Sequence, residues 1–380
     1  MSSDLSHARS ASFAYYPALT GLRAVAAYLI FFHHFRPNFV HEWARQLMGQ
    51  LHVGVGLFFV LSGFVIASRY QGSVLLTRLW WRRYLWRRAA RIYPVYFILN
   101  GAALAQTYWP ILPGKRANSV LLVLISQSLL RGFSSTLKFV GLPQGWTLTV
   151  EECFYLSAPL LLLAWQRWNS VGAVGFGVVT VSCGLLLTYI CQDYPALHGL
   201  FGSYHFLFNY TFFGRVLEFG MGVGLARWWA VRPAKLAPRW PWRTFTGALL
   251  MIFVVSLLAK INSPIDWYAG FRYSSAIALN NLLFPAGVLL LLAGLLAEYS
   301  WLRTVLATPL LQVLGRSSYF FYLFHLGLFS IWWQARFGPG VHIAWQFLAT
   351  VVVSEAGYRL FEEPLRRWVL VWALPSDKMT

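Results

Sequence analysis

Apolar segments long enough to cross a lipid bilayer recur along the whole chain, and they restrict the fold more than any other feature. A membrane-spanning helix needs about 20 mostly apolar residues. Segments of about this length lie at 18–36, 51–69, 91–108, 147–165, 171–191, 206–228, 244–260, 275–297, 310–334 and 341–361. Hydrophobic residues make up 58% of the chain and charged residues 11%, whereas a soluble domain carries about 25% charged residues. The sequence therefore predicts an all-α polytopic membrane protein with about ten transmembrane helices.

The positive charges lie mainly between the apolar segments. The formal net charge is +19, from 31 Lys and Arg against 12 Asp and Glu. Nucleic-acid binding would need these cations on a soluble face, whereas cations that alternate with apolar spans are typical of cytoplasmic loops. Segment 69–91 is the richest in arginine, with more cations at 227–243 and 366–367, whereas those in 109–146 are diluted over a longer segment. This bias predicts that both termini are cytoplasmic, and an even number of spans agrees with that.

The sequence is expected to form one membrane domain at 18–368, with a cytoplasmic N-terminal segment at 1–17 and a cytoplasmic tail at 369–380. The first span is expected to be retained and not cleaved as a signal peptide. The apolar run 120–130 is too short to cross and is expected to lie in the interface or to re-enter the membrane. The cysteines have no paired spacing, so neither a disulfide framework nor a metal site is predicted.

Ionisable residues inside the apolar segments are the candidates for function, because an Arg or Lys at bilayer depth costs about 2.5–3.5 kcal/mol. They are Arg23, His33, His34, His52, Glu151, Glu152, Arg215, Glu218, His325 and Glu355. In a helix, Arg23 and His34 share one face to within roughly 20° and lie about 16 Å apart along the axis, whereas His33 points roughly 80° away. This register suits a long anionic donor such as a pantetheine derivative. The alternative is that Arg23 snorkels to the interface and the histidines are structural.

The second span and the segment after it allow two interpretations each. Ser62 and three glycines in the second span let a helix or a ligand approach the backbone closely, and packing alone would explain them. The arginine- and aromatic-rich segment that follows is typical of a cytoplasmic loop. Its Arg88 and Arg91 would also lie on one helix face, where guanidinium groups bind phosphates.

Acidic residues in the later spans point to a second side of the site. Glu151 and Glu152 are about 100° apart on a helix, so only one is expected to face a given site. A carboxylate there is protonated, paired with a basic group of the first span, or bonded to a substrate. Arg215 and Glu218 have the spacing of an ion pair within one helix, and a structural role is the favoured account.

Seven segments resemble the successive motifs of acyltransferase family 3, a family of membrane O-acyltransferases. They are ALTGLRAVAAYLIFFHHF, GVGLFFVLSGFVI, RRAARIYPVYF, WTLTVEECFYL, GRVLEFGMGVGLA, LGRSSYFFYLFH and EEPLRRW, in the expected order. The resemblance implies a ten-helix membrane domain that transfers an acyl group, often acetyl from acetyl-CoA. It implies acceptors such as lipopolysaccharide, exopolysaccharide, peptidoglycan, Nod factors or macrolides. It also implies a multi-pass protein of the plasma membrane, the inner membrane of a bacterium, in the form without an added extracytoplasmic hydrolase-like domain.

The family's functional residues fall on positions already singled out. The essential arginine and histidine are Arg23 and His34, the cytoplasmic arginine pair is Arg88 and Arg91, and the motif glutamate is Glu151. The motif serine is Ser62, the late tyrosine and histidine expected to line the site are Tyr319 and His325, and Thr147 stands where serine is common.

The resemblance leads us to expect acylation of a carbohydrate or glycolipid hydroxyl by acyl-CoA, with no tightly bound cofactor and no nucleic-acid partner. Arg88, Arg91 and Arg23 would bind the donor. His34 would take the proton of the acceptor hydroxyl, and Glu151 would orient His34 or a nearby positive group. An acyl-histidine intermediate is a less favoured variant.

Two other classes of function compete with this expectation. A transporter or flippase of a lipid-linked sugar or small molecule would also use intramembrane charges, but it predicts repeats in the two halves that the sequence does not display. A structural membrane scaffold leaves the register of Arg23 and His34 unexplained.

Overall fold

The computed structural model describes residues 15–37, 41–108, 116–231, 240–261, 271, 273–338 and 342–374. Within these ranges the chain is helical, and the only β contact is an isolated bridge between Ser134 and Leu200. The α-helices are α1 (Pro17–His34), α2 (Glu42–Gly49), α3 (Gly54–Tyr70), α4 (Arg78–Tyr108), α5 (Arg116–Gln127), α6 (Trp146–Cys191), α7 (Tyr204–Tyr210), α8 (Phe212–Ala230), α9 (Trp242–Ile261), α10 (Ser274–Ala278), α11 (Phe284–Ala297), α12 (Trp301–Leu306), α13 (Pro309–Arg316), α14 (Ser318–Phe324), α15 (Leu328–Phe337), α16 (Ile343–Gly357) and α17 (Glu363–Ala373). The terminal segments predicted at 1–17 and 369–380 lie partly outside the described residues.

Four helical segments among the described residues are long and apolar enough to cross a membrane: Glu42–Tyr70, Pro143–Cys191, Trp242–Ile261 and Ser274–Ala297. Only 22% of the most apolar stretch of Pro143–Cys191 is buried within the protein, and 28% of that of Trp242–Ile261. Apolar surface of this extent is stable in lipid and not in water. The predicted all-α membrane fold is therefore confirmed, while the number of ten spans and the side of the termini stay predictions.

Two predicted spans are not continuous helices, so the sequence-based boundaries were wrong there. The span predicted at 206–228 is interrupted at Thr211, whose hydroxyl donates to the carbonyl four residues earlier at 2.7 Å. The span predicted at 310–334 is divided into α13, α14 and α15. At its first interruption the Ser318 hydroxyl donates to the carbonyl three residues earlier at 2.8 Å. Such hydroxyls satisfy the carbonyls that a helix end leaves free, which lets an apolar run turn.

Two long helices replace loops that the sequence predicted. The helix α4 begins at Arg78, so most arginines of the segment predicted as a loop at 69–91 lie on helical turns. The spans predicted at 147–165 and 171–191 are joined as α6, and only Trp168 and Asn169 leave helical dihedral angles between them. The two predicted helical segments are therefore confirmed, but only these two residues separate them and there is no loop.

The helices α3 and α8 pack against each other through glycines. A methyl group on Gly63 would lie 2.1 Å from the carbonyl oxygen of Phe219, and one on Gly222 would lie 2.0 Å from that of Val60. Only residues without a side chain permit such an approach of two backbones. Gly63 of the second span therefore serves helix packing, as one of the two interpretations predicted.

A buried ion pair lies within α8, and its arginine also bonds to the segment that precedes α11. Arg215 Nε lies 2.8 Å from Glu218 Oε2, and both side chains are almost fully buried. Arg215 also donates to Asn281 Oδ1 at 2.8 Å, and Asn281 belongs to the π-helical segment Leu279–Leu283. The predicted structural ion pair is thus confirmed, and a wider helical turn on the neighbouring segment supplies its extra acceptor.

Candidate active site

A pocket lies among α1, α3, α4, α6 and α14. Its lining brings together these residues from the sequence analysis: Arg23, Ser62, Arg88, Arg91, Glu151 and Tyr319. They come from five helices that are far apart in the chain, so the fold assembles the greater part of the predicted site at one place.

Arg23 supplies the positive charge of α1 to this pocket. Its Nε is buried and makes no hydrogen bond. The charged groups that act on it are Arg91, Glu151 and Glu362. A buried guanidinium edge without an acceptor is costly, and it is ready to bind the oxygen atoms of an anionic ligand.

Glu362 is a neighbour of Arg23 that the sequence analysis did not single out. It lies at the end of the π-helical segment Tyr358–Glu362 between α16 and α17, and its Oε2 is buried without a hydrogen bond. The signal was present in the segment EEPLRRW, whose acidic start follows an apolar run. Hydropathy could not indicate which of the two glutamates turns inward.

Arg88 is held inside a group of three tyrosine rings. Its guanidinium carbon lies 5.4 Å from the ring centre of Tyr70, 5.7 Å from that of Tyr84 and 5.2 Å from that of Tyr155. Aromatic faces attract a cation at such distances. Arg88 Nε is buried without a hydrogen bond. Because Arg88 and Arg91 both line the pocket, their predicted placement on one helix face is confirmed.

Glu151 belongs to the arginine side of the site. It accepts hydrogen bonds from Tyr155 and, at 3.4 Å, from the Ser62 hydroxyl. Glu152 lies outside the pocket lining and accepts a hydrogen bond from Tyr93. Only one of the two adjacent glutamates therefore faces the pocket, as predicted. Of the two roles expected for Glu151, its surroundings favour orientation of a positive group, Arg23.

Two tyrosines of α14 form the wall opposite α3. Tyr319 donates to the carbonyl of Ile92 at 2.8 Å, which fastens α14 to α4. The Tyr322 hydroxyl lies 2.8 Å from the Thr147 hydroxyl. Thr147 therefore retains the hydroxyl of the serine that is common at its motif position, and it uses that group within the site.

His34 lies outside the lining of this pocket and belongs to a row of four imidazole rings. The ring centres of His34 and His325 are 5.5 Å apart, those of His33 and His34 are 4.7 Å apart, and those of His33 and His52 are 4.9 Å apart. Tyr322 connects the row with the pocket, since it lines the pocket and its ring centre is 5.8 Å from that of His325. The predicted site thus has two parts, which we call the arginine pocket and the histidine row.

Backbone carbonyls contact three members of the histidine row, and the contact of His52 Nδ1 with the Gly49 carbonyl, at 3.3 Å, is the longest. His33 Nδ1 lies 2.7 Å from the carbonyl oxygen of Gly49, and His325 Nδ1 lies 2.7 Å from that of Tyr322. A carbonyl can only accept, so both Nδ1 atoms carry the hydrogen. Among the described residues, no group of three or more His, Cys, Asp or Glu side chains has the geometry to hold a metal ion.

Comparisons with known proteins give the family of the chain. No solved structure matches the chain. A Staphylococcus aureus (strain COL) protein named provisionally as an O-acetyltransferase is 24% identical over 93% of this chain and 58% of its own length. The peptidoglycan O-acetyltransferase OatA of Listeria monocytogenes is 26% identical over 93% of this chain and 56% of its own length. Nodulation protein 10 of Rhizobium leguminosarum is 25% identical over 90% of this chain and 91% of its own length.

These alignments include nearly all of the chain, although it spans little more than half the length of the first two relatives. A family model described as an acyltransferase domain matches residues 16–355, which include both the arginine pocket and the histidine row. The resemblance seen in the sequence motifs is thereby confirmed, and the protein belongs to acyltransferase family 3.

Proposed function

We propose that the protein is a membrane O-acyltransferase that moves an acyl group, in the simplest case acetyl, from acyl-CoA to a hydroxyl of a carbohydrate or glycolipid. The observation that carries the proposal is the junction of the two parts of the site at Tyr322. On one side of it the pocket offers three arginines to an anionic donor, and on the other side lies an imidazole suited to proton transfer. The names of the Staphylococcus and Listeria relatives support O-acetylation.

The donor would be bound by its phosphates. Arg88 and Arg91 project from one face of α4 into the pocket, and Arg23 enters it from α1. Guanidinium groups bind phosphate oxygens through paired hydrogen bonds, and Nε of Arg23 and of Arg88 is buried without another partner. The head of CoA would lie here, and its pantetheine arm would follow α1 towards His34, about 16 Å further along the axis.

The reaction needs one proton to change place. The acceptor hydroxyl attacks the thioester carbonyl while His34 removes its proton as general base. A carbon–oxygen bond forms, the carbon–sulfur bond breaks, and the thiolate of CoA takes up the proton, so no co-reactant is required. Glu151 acts through Arg23 in this scheme, and no tightly bound cofactor takes part.

The acceptor and the orientation belong to the same proposal. The name of the Listeria relative, a peptidoglycan O-acetyltransferase, supports a cell-surface glycan as acceptor, and acyl-CoA is available on the cytoplasmic side. We propose a multi-pass protein of the bacterial plasma membrane with both termini inside, because the arginines at the start of α4 resist translocation. An impermeant thiol reagent should then label Lys138→Cys and not Arg83→Cys in intact cells. The opposite pattern would invert the orientation.

The activity is tested with purified protein in proteoliposomes that contain radiolabelled acetyl-CoA and an added oligosaccharide acceptor. We expect acceptor-dependent release of CoA and transfer of label to an alkali-labile ester. A glycan profile of a deletion strain should lack the matching O-acetyl mass. Movement of a sugar lipid across the membrane without consumption of acetyl-CoA would refute the proposal and favour a flippase.

A further inference from the structure

His325 has a nitrogen that the structure leaves unused. The side chain is 0% exposed, and its Nδ1–H donates to the Tyr322 carbonyl at 2.7 Å. Its Nε2 is buried and makes no hydrogen bond. With the hydrogen on Nδ1, Nε2 of the neutral ring carries a lone pair and can only accept. A buried acceptor without a donor is costly, which calls for an explanation.

The ring of His34 is a close neighbour of the His325 ring. The centres of the two rings are 5.5 Å apart with 38° between their planes. A hydrogen bond of about 3 Å between two imidazole nitrogens, with a ring radius of about 1 Å at each end, places the centres roughly 5 Å apart. The two rings therefore have the separation that a nitrogen-to-nitrogen hydrogen bond requires after a small rotation.

We propose that His325 is a positioning residue that accepts the N–H of His34 on Nε2 and thereby fixes the tautomer of His34. The Tyr322 carbonyl holds His325, His325 holds one nitrogen of His34, and the other nitrogen of His34 keeps its lone pair for the acceptor hydroxyl. This is the role that a hydrogen-bonded group has behind a catalytic histidine in general. The inference rests on the proposed function, in which His34 is the base.

His33 is the natural comparison, because it is also buried and lies on the other side of His34. Its Nδ1 donates to a carbonyl at the same distance of 2.7 Å, and its ring centre is 4.7 Å from that of His34. The two rings of that pair are nearly perpendicular, at 71°. The unpartnered buried nitrogen belongs to His325, so His325 and not His33 has the acceptor that His34 needs.

A purely structural role for His325 predicts a different outcome. The Tyr322 carbonyl lies at the end of α14, and the Nδ1 bond of His325 satisfies it as a helix cap would. If capping were its whole function, a side chain that keeps the donor near Nδ1 should be sufficient. If its Nε2 positions His34, a side chain that keeps an acceptor near Nε2 should be the better replacement.

Asparagine and glutamine separate the two roles. His325→Asn retains an amide donor near Nδ1 and removes Nε2, whereas His325→Gln places an amide oxygen near the position of Nε2. We expect His325→Asn to lower kcat by about 10- to 100-fold, with the KM for acetyl-CoA changed less than about twofold. We expect His325→Gln to retain more activity than His325→Asn, and His325→Asn to lose more activity than the comparison variant His33→Asn.

The reverse order, with His325→Asn active and His325→Gln inactive, would overturn the inference in favour of helix capping. An equal loss in His33→Asn and His325→Asn would also overturn it, because His34 would then have no preferred partner. Only variants that keep the wild-type thermal midpoint in detergent are compared. If His325→Asn does not fold, His325→Gln alone tests the inference. A kcat of at least about a tenth of the wild-type value supports it, and a lower kcat contradicts it.

The failure of this inference and that of the proposed function have different signatures. If His34→Ala retains full transfer, the base assignment itself is refuted. If His34→Ala is inactive and His325→Asn has wild-type kcat, only the role of His325 is refuted.

Discussion

The arginine pocket and the histidine row lie near opposite ends of α1, and their side chains are held in different ways. In the pocket, cations are surrounded by tyrosine rings and carboxylates, as Arg88 and Arg23 are. In the row, imidazoles are oriented by backbone carbonyls, as His33 and His325 are. Rings and carboxylates hold a charge in place while leaving its N–H groups for a ligand. A backbone carbonyl instead selects which nitrogen carries the hydrogen.

This difference indicates that the two parts of the site have different functions. The pocket has the means to bind an anion, and the row has the means to move a proton. Changes in the pocket should therefore alter the affinity for the donor, whereas changes at His34 and His325 should alter the chemical step.

The largest loss of activity should come from a substitution in the histidine row. His34→Ala removes the proposed base, so we expect kcat to fall by about 10²–10⁴-fold, with the affinity for acetyl-CoA retained. The measurement is steady-state transfer in proteoliposomes together with equilibrium binding of acetyl-CoA.

The matched control for this change is His33→Ala, the adjacent imidazole on α1, which should lose far less activity. An inactive His33→Ala beside an active His34→Ala would show that the wrong histidine was chosen.

The sequence could predict the parts of the site that local helix geometry determines. The separation of eleven positions put Arg23 and His34 on one face of one helix, and the i, i+3 spacing put Arg88 and Arg91 on one face. Both features depend only on helical periodicity. The separation of Glu151 from its neighbour along α6 follows from the same rule.

Tertiary contacts and helix ends could not be predicted in this way. The tyrosines around Arg88 come from three helices, and no local pattern links them. The interruption after α14 depends on a distant group as well as on a local one. Gln144 donates to the carbonyls of Tyr322 at 3.2 Å and Leu323 at 2.7 Å, and the adjacent His325 also donates to that of Tyr322. A hydropathy profile registers one apolar run there, because it does not show that Gln144 of another segment helps to end the helix.

The next largest effect, a loss of affinity for the donor, should come from substitutions in the arginine pocket. Arg88→Ala and Arg91→Ala each remove charge-assisted hydrogen bonds of about 1.5–3 kcal/mol. We expect the KM for acetyl-CoA to rise about 10- to 100-fold, with a smaller change in kcat. Titration with acetyl-CoA analogues gives the affinity directly.

An exposed arginine of the same helix provides the control for this charge change. Arg82→Ala removes one cation from α4 outside the pocket lining, and the KM should stay close to that of wild type. Equal effects of Arg82→Ala and Arg91→Ala would mean that the arginines act only through their total charge.

A smaller loss of activity should come from a change at Glu151. The size of this loss shows whether the residue belongs to the arginine pocket or to the histidine row. Glu151→Gln keeps an acceptor for Tyr155 and Ser62 but removes the charge opposite Arg23. We expect kcat/KM to fall by about tenfold, as the loss of about 1.4 kcal/mol of orientation would produce. A loss in kcat as large as that of His34→Ala would instead place Glu151 behind the histidine, the alternative that the sequence left open.

The smallest effect should come from Ser62, although it occupies a motif position. Its hydrogen bond to Glu151 is long, at 3.4 Å, and a bond of that length is weak. Tyr155 bonds the same carboxylate oxygen, so Glu151 keeps a partner when the serine hydroxyl is removed. We therefore expect Ser62→Ala to change kcat/KM by less than about fivefold, the equivalent of about 1 kcal/mol. Tyr155→Phe, which keeps the ring beside Arg88 and removes the other hydroxyl, should cost more. If Ser62→Ala proved the more damaging of the two, the serine would contact the substrate itself, and the arginine pocket would take part in the chemical step as well as in binding.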